Sequence, residues 1–144
     1  MTTIAYDGKT ICADVLACWG SERGRAPIEK IITRPSGVYA MSGSHAVRDE
    51  VIDWIENGAK RVDAPKLVGD EEWQVIFIDK DGAAYAAMSA SPGLIPIAAP
   101  FTLGSGGEFA MGALLANKSA HDAVKIAAIV DTKTGDAVQV VHLK

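Results

Sequence analysis

The chain has two cysteines, Cys12 and Cys18, and three scattered histidines, His45, His121 and His142. Two cysteines are too few for a disulfide framework, and no Cys or His stands at zinc-ligand spacing. No metal and no cofactor are therefore expected, and both cysteines read as small buried or pocket residues, Cys12 on the buried face of a second strand. Basic residues are also short: 14 Lys and Arg against 18 Asp and Glu give a net charge of −4, with no cluster to bind phosphates, which argues against a nucleic-acid partner. No stretch approaches the roughly 18 apolar residues of a membrane span, and no basic segment followed by an apolar run opens the chain. No membrane association is expected, and a cytoplasmic location is. Internal repeats, low-complexity tracts and linkers are absent, so residues 1–144 should form one domain, long enough to bury a core.

What is present begins at the N-terminus. Thr2 follows Met1, and Met1 should be removed because the Thr side chain is small. A single residue would then carry a hydroxyl and a free α-amine, whose ordinary pKa near about 7.7–8.0 makes it a base tethered beside a nucleophile. Thr2 to Tyr6 and Thr10 to Ala13 are rich in strand formers, and Asp7-Gly8 between them is a hairpin signal. This hairpin should return the chain so that Asp14 lies near Thr2.

Further along, Ser21 to Pro27 reads as a polar loop and Ile28 to Ile32 as a short strand. Pro35-Ser-Gly37 is a turn, and Val38 to Met41 a strand leading into Ser42-Gly43. A helix follows from His45 to Asn57, with Ser44 as N-cap and Val47, Val51, Ile52, Trp54 and Ile55 on one face. Ala59 to Glu72 is a polar connection without period. Trp73 to Asp79 and Ala83 to Met88 form a second hairpin, and Pro96 and Pro100 bracket a segment fit only for an edge or a bulge. After Phe101 to Leu103 and Gly104-Ser-Gly-Gly107 come helices over 108–116 and 120–130, the latter capped by Ser119. Asp131 to Gly135 is a turn and Asp136 to Leu143 a closing strand. Hairpins interleaved with helices predict an α+β fold.

Taken together, Thr2-Thr3, the run Ala13-Asp-Val-Leu-Ala-Cys-Trp-Gly20, Lys30 before two isoleucines, Ser42-Gly43, Gly104-Ser-Gly-Gly107 and Asp131-Thr-Lys-Thr-Gly135 resemble, in that order, the Ntn hydrolases of the proteasome β-subunit and HslV-like peptidase family. The resemblance implies a four-layer αββα sandwich of two antiparallel sheets between helices. It implies Thr2 as nucleophile, Lys30 as the cation that eases alkoxide formation, Asp14 as its partner, and the Gly43 N–H as oxyanion donor, a contribution worth about 2.7–4 kcal/mol. Ser105, Asp131 and Thr134 would support the α-amine, Thr134 standing where the family usually has a serine. Ala17, Ile28, Ile32 and Met41 would line the pocket for the residue before the scissile bond, which being uncharged should prefer apolar side chains. Cys18 occupies the position of a threonine that contacts substrate backbone.

By resemblance the partners would be polypeptide substrates, copies of the same chain in a ring or stacked rings, and an AAA+ unfoldase ATPase. The chain departs from the pattern in being short at Ala59 to Glu72, where relatives carry a second helix, and in Leu16, where they often have arginine. Each feature has a plainer reading: a surface ion pair for Asp14 and Lys30, a phosphate cradle for Gly104 to Gly107, though without the Walker lysine, and a tight turn for Asp131 to Gly135. The three tryptophans, Trp19, Trp54 and Trp73, read as packing residues. Two other functions fit the same signals, a small-molecule amidohydrolase and a catalytically silent ring protein.

Overall fold

The computed structural model describes residues 2–144; the expected removal of Met1 lies outside the described residues. In chain order the strands are β1 Ile4–Tyr6, β2 Thr10–Asp14, β3 Cys18–Trp19, β4 Glu22–Arg23, β5 Ile31–Arg34, β6 Gly37–Gly43, β7 Trp73–Asp79, β8 Ala84–Met88, β9 Ser91–Pro96, β10 Phe101–Leu103 and β11 Val138–His142. The helices are α1 Arg48–Glu56, α2 Gly107–Leu115 and α3 Ala120–Val130. One antiparallel sheet runs β10-β1-β2-β11 and the other β5-β6-β7-β8-β9.

Strand alternation sorts the apolar residues into three layers of contact. Ile4, Tyr6, Ile11 and Ala13 of the first sheet meet Ile31, Ala40, Ile76 and Ile78 of the second. On the outer face of the first sheet, Ala5 and Cys12 pack against Ala110, Leu114, Ala123, Val124 and Ala127 of α2 and α3. On the outer face of the second, Tyr39, Met41, Val75 and Phe77 pack against Val51, Ile52, Trp54 and Ile55. The order is helices, sheet, sheet, helix, which is the four-layer sandwich expected.

The outer layer over the second sheet holds one α-helix, and the polar connection adds Ala59, Ala64 and Leu67 to the core beneath it. Trp54 Nε1 donates to the Lys60 carbonyl at 2.7 Å, and Trp73 Nε1 to the Pro65 carbonyl at 3.1 Å. The two rings lie 5.7 Å apart and tilted by 60°, so a pair of anchored indoles takes the place of helical packing. Trp19, by contrast, is 77% exposed and packs no core.

Several boundaries differ from expectation. The short strand begins at Ile31, not Ile28, and the loop at 21–27 opens with the small β3-β4 hairpin. Residues 45–47 form a 3₁₀ turn before α1, and the Ser44 side chain makes no cap. The first turn is centred on Gly8-Lys9: Asp7 N–H donates to the Thr10 carbonyl at 3.1 Å. The Asp7 carboxylate accepts the N–H groups of Lys9, Thr10 and Ala120, tying the hairpin to α3. Strand β9 starts at Ser91 and ends at Pro96, at the sheet edge and with an irregular register against β8, where a proline costs no ladder bond. Ser119 caps α3 as expected, its Oγ accepting the Asp122 N–H at 3.1 Å.

Candidate active site

The first hairpin carries Thr2 and Thr3 to the end of β1 that faces Asp14. Thr3 N–H donates to Asp14 Oδ1 at 2.9 Å and the Thr3 carbonyl accepts Asp14 N–H at 3.2 Å. Lys30, arriving from the segment before β5, places Nζ 3.0 Å from the same Oδ1, with the two side chains 1% and 0% exposed. One carboxylate oxygen thus joins a cation to the residue after Thr2. The surface-pair reading fails on burial alone. The other oxygen accepts the N–H groups of Leu16 and Gly135 at 3.2 and 3.0 Å. Burial pushes the Lys30 ammonium down from its ordinary value, and the Asp14 charge opposes that shift.

A second network reaches the Thr2 nitrogen. Thr2 N–H donates to Ser105 Oγ at 3.3 Å, and Ser105 Oγ donates to Asp131 Oδ2 at 2.6 Å. Thr134 Oγ1 also donates to Asp131 Oδ2 at 2.6 Å and lies 2.6 Å from Thr3 Oγ1. A hydroxyl has one proton, so Thr3 must donate to Thr134. Burial by itself would raise the Asp131 carboxyl; the hydrogen bonds from Ser105, Thr134 and the Lys133 N–H outweigh it and hold the pKa below the ordinary value. Thr3 is a member that sequence reasoning passed over. Its signal was the second threonine itself, which in an extended segment points to the opposite face from Thr2.

Glycines make room for this crowding. At Gly104, with φ +91°, a β-carbon would run into the Thr2 carbonyl, and at Gly106 into Thr3 Oγ1. The Gly104 to Gly107 stretch therefore closes on Thr2 and Thr3; the Gly106 N–H donates to the Thr2 carbonyl at 3.3 Å.

Gly43 is exposed at the end of β6 with φ +94°. Its cross-strand partner Trp73 is bonded to Ser89 through both backbone groups. The alternation of an antiparallel ladder then turns the Gly43 N–H away from Trp73.

The residues expected to contact substrate fall into two groups. Met41 is 1% exposed and belongs to the core beneath α1, with Ile32 partly buried against it. Ala17, Cys18 and Ile28 are half-buried, and the chain closes on itself there: Gly24 N–H donates to the Ala17 carbonyl and Ile28 N–H to that of Val15. Leu16 packs beside Gly135, where a β-carbon on the glycine would touch it. His45 is a further residue that sequence reasoning passed over, since a lone histidine at a helix start carries no signal. Both its ring nitrogens are buried and have no hydrogen-bond partner among the described residues. Burial, then the charges of Lys30 and Arg48, push its pKa down to about 4, so the ring is neutral at pH 7.

Among the described residues no His, Cys, Asp and Glu cluster could hold a metal ion, and no helix is long and apolar enough to cross a membrane. The chain matches no protein-family model and no curated protein sequence. Its backbone is similar to that of Thiobacillus denitrificans BPH, with a TM-score of 0.71 at 22% identity over 99% of this chain and 98% of that one. The same protein in complex with epoxomicin gives 0.70 at 19% identity, with the same coverage. At such identity the likeness is one of architecture: this chain has the proteasome-like αββα fold that it shares with BPH.

Proposed function

We propose that the chain, after loss of Met1, is an N-terminal threonine peptidase working inside a ring of its own copies. The observation that carries this reading is the sealed Lys30–Asp14 pair, bonded through Asp14 to Thr3 and therefore one residue from Thr2. A charge pair so deeply buried is a poor source of stability, and a cation beside a hydroxyl is what lowers the cost of an alkoxide. BPH in complex with epoxomicin adds support, because it is a protein of this fold that accepts that compound.

In this reading the Thr2 α-amine takes the hydroxyl proton as Oγ1 attacks the peptide carbonyl. The Gly43 N–H meets the oxyanion. Collapse forms an ester to Thr2 and breaks the C–N bond, and the proton passes to the departing amine. Water, deprotonated by the same α-amine, then hydrolyses the ester and restores the hydroxyl. Ser105 and Asp131 hold the amine in register and Thr134 holds Asp131. Substrates would be polypeptides cut after apolar residues, fed by an unfoldase ATPase, in the cytoplasm.

Intact-mass analysis of the purified protein tests the core of this. Expected are loss of Met1, a one-to-one covalent adduct with epoxomicin that maps to Thr2, and no adduct in Thr2→Ala. Retained Met1 with no adduct overturns the reading in favour of a silent ring protein, and turnover of small amides but not peptides favours an amidohydrolase. Native mass spectrometry of the same sample reports the subunit number.

A further inference from the structure

Strand β11 reads Val-Gln-Val-Val-His, and Gln139 is a polar residue set between valines. It sits opposite Ala13, one rung from the pairing of Val138 with Asp14. Ala13 faces the space between the sheets, and cross-strand partners share a face, so Gln139 reaches across toward the second sheet. There it meets β5, the outermost strand. The Lys30 carbonyl is turned inward, accepting the Met41 N–H at 2.9 Å. The backbone groups of Ile31 consequently face the open edge.

Gln139 satisfies them. Its Oε1 accepts the N–H groups of Lys30 and Ile31, both at 3.0 Å, and its Nε2 donates to the Ile31 carbonyl at 2.7 Å. A side-chain amide here does what the backbone of one more strand residue would do. Lys30 is therefore held to the first sheet at two points, its ammonium by Asp14 and its main chain by Gln139 on the next rung. A long lysine side chain anchored only at its tip could follow the edge strand as it frays. Anchored at both ends it cannot.

We propose that Gln139 is the positioning residue for Lys30, setting the distance of the cation from the Thr2 hydroxyl by clamping the Lys30–Ile31 backbone across the two sheets. The inference rests on the role proposed for Lys30 above. Of its neighbours on β11, Val138 packs with the α2 and α3 layer and Val141 between the sheets.

The test compares the wild type with Gln139→Leu, which keeps the volume and removes all of these hydrogen bonds, and with Gln139→Glu. Turnover of a fluorogenic peptide with leucine before the scissile bond, and the rate of epoxomicin adduct formation, are followed against pH. For folded Gln139→Leu, kcat should fall about 10- to 100-fold, with KM within about twofold. The pH midpoint of reactivity should move upward, because a cation farther away depresses the α-amine less. Gln139→Glu keeps the acceptor but turns a second lone pair toward the Ile31 carbonyl. Its reactivity relative to wild type should recover as the pH approaches the carboxyl range near ~4.3, where protonation restores the donor.

Side-chain NMR of Lys30 gives a readout independent of activity: its Cε resonance and titration should shift in both variants. Unchanged kcat, pH midpoint and Lys30 resonance in folded variants overturn the proposal, as does a fall in activity that only tracks thermal unfolding. If Gln139→Leu does not fold, Gln139→Glu decides alone. Should the wild type be inert to peptide and epoxomicin, the peptidase reading fails, and the clamp stands or falls on the Lys30 resonance.

Discussion

Lys30 Nζ lies 3.0 Å from Asp14 Oδ1 with both side chains sealed from water, but the two residues are not equivalent. Asp14 also receives the N–H groups of Thr3, Leu16 and Gly135, so it organises three separate pieces of backbone, whereas the Lys30 ammonium donates to a single oxygen of Asp14. Asp14→Ala strands a buried cation and orphans those donors, and should cost at least about 3–5 kcal/mol. Lys30→Met leaves the carboxylate hydrogen-bonded and should cost less, about 1–3 kcal/mol. Both should abolish turnover. Urea unfolding of the two variants checks the order, and an equal or reversed order would refute the account.

Thr134 relays between Thr3 and Asp131. Thr134→Val keeps the shape but leaves the buried Thr3 hydroxyl without an acceptor, which should cost about 1–3 kcal/mol. Thr134→Ser should restore most of that. Asp131 is held below its ordinary 3.8, so its contribution to stability is present above that value and lost as the pH falls through the lowered folded value. With one of its donors gone, the loss in Thr134→Val should begin at higher pH, as melting curves between pH 5 and 2, on the order of the carboxyl range, will report.

His45 should give the protein a separate acid sensitivity. The folded ring titrates near about 4 and an unfolded one near 6.5. Between these values the unfolded chain binds the proton first, and stability falls as the pH falls, by on the order of 1–3 kcal/mol in all. His45→Phe should flatten the dependence of Tm on pH in that window. An identical slope in wild type and variant would show that other groups govern it.

Gly104 and Gly106 should tolerate no side chain. Gly104→Ala combines a positive φ with a collision against the Thr2 carbonyl, and a displacement of the nucleophile by about 1 Å is enough for roughly 100-fold. The expected result is a folded protein that forms the epoxomicin adduct at least that much more slowly. Gly112→Ala, where a β-carbon meets nothing within 4 Å on α2, is the control and should be neutral or slightly stabilising.

Much of the fold was legible along the chain because its signals are local. The β7-β8 hairpin, α3 with its Ser119 cap, and the β1-β2 hairpin were all visible as alternation, periodicity and turn residues. Boundaries moved where tertiary contacts outweigh propensity: Ile28 to Lys30 have strand-forming neighbours, but Ile28 bonds to Val15 and only from Ile31 does the chain join β6. Trp19 looked like its two companions in composition, and no pattern told that it would stay exposed while Trp54 and Trp73 anchor a loop.

What the sequence alone determined was an inventory and its order: the hydroxyl at residue 2, the acid and base at 14 and 30, the glycines around Ser105, and the layers that would carry them. Only the tertiary structure decided that Asp14 and Lys30 meet in the dry interior, that the Thr3 hydroxyl donates to Thr134, and that Gln139 holds the Lys30 backbone. The reason is physical. Periodicity records which face of an element is buried, whereas a hydrogen bond between residues more than a hundred positions apart depends on how two sheets settle against each other, and no local pattern encodes that distance.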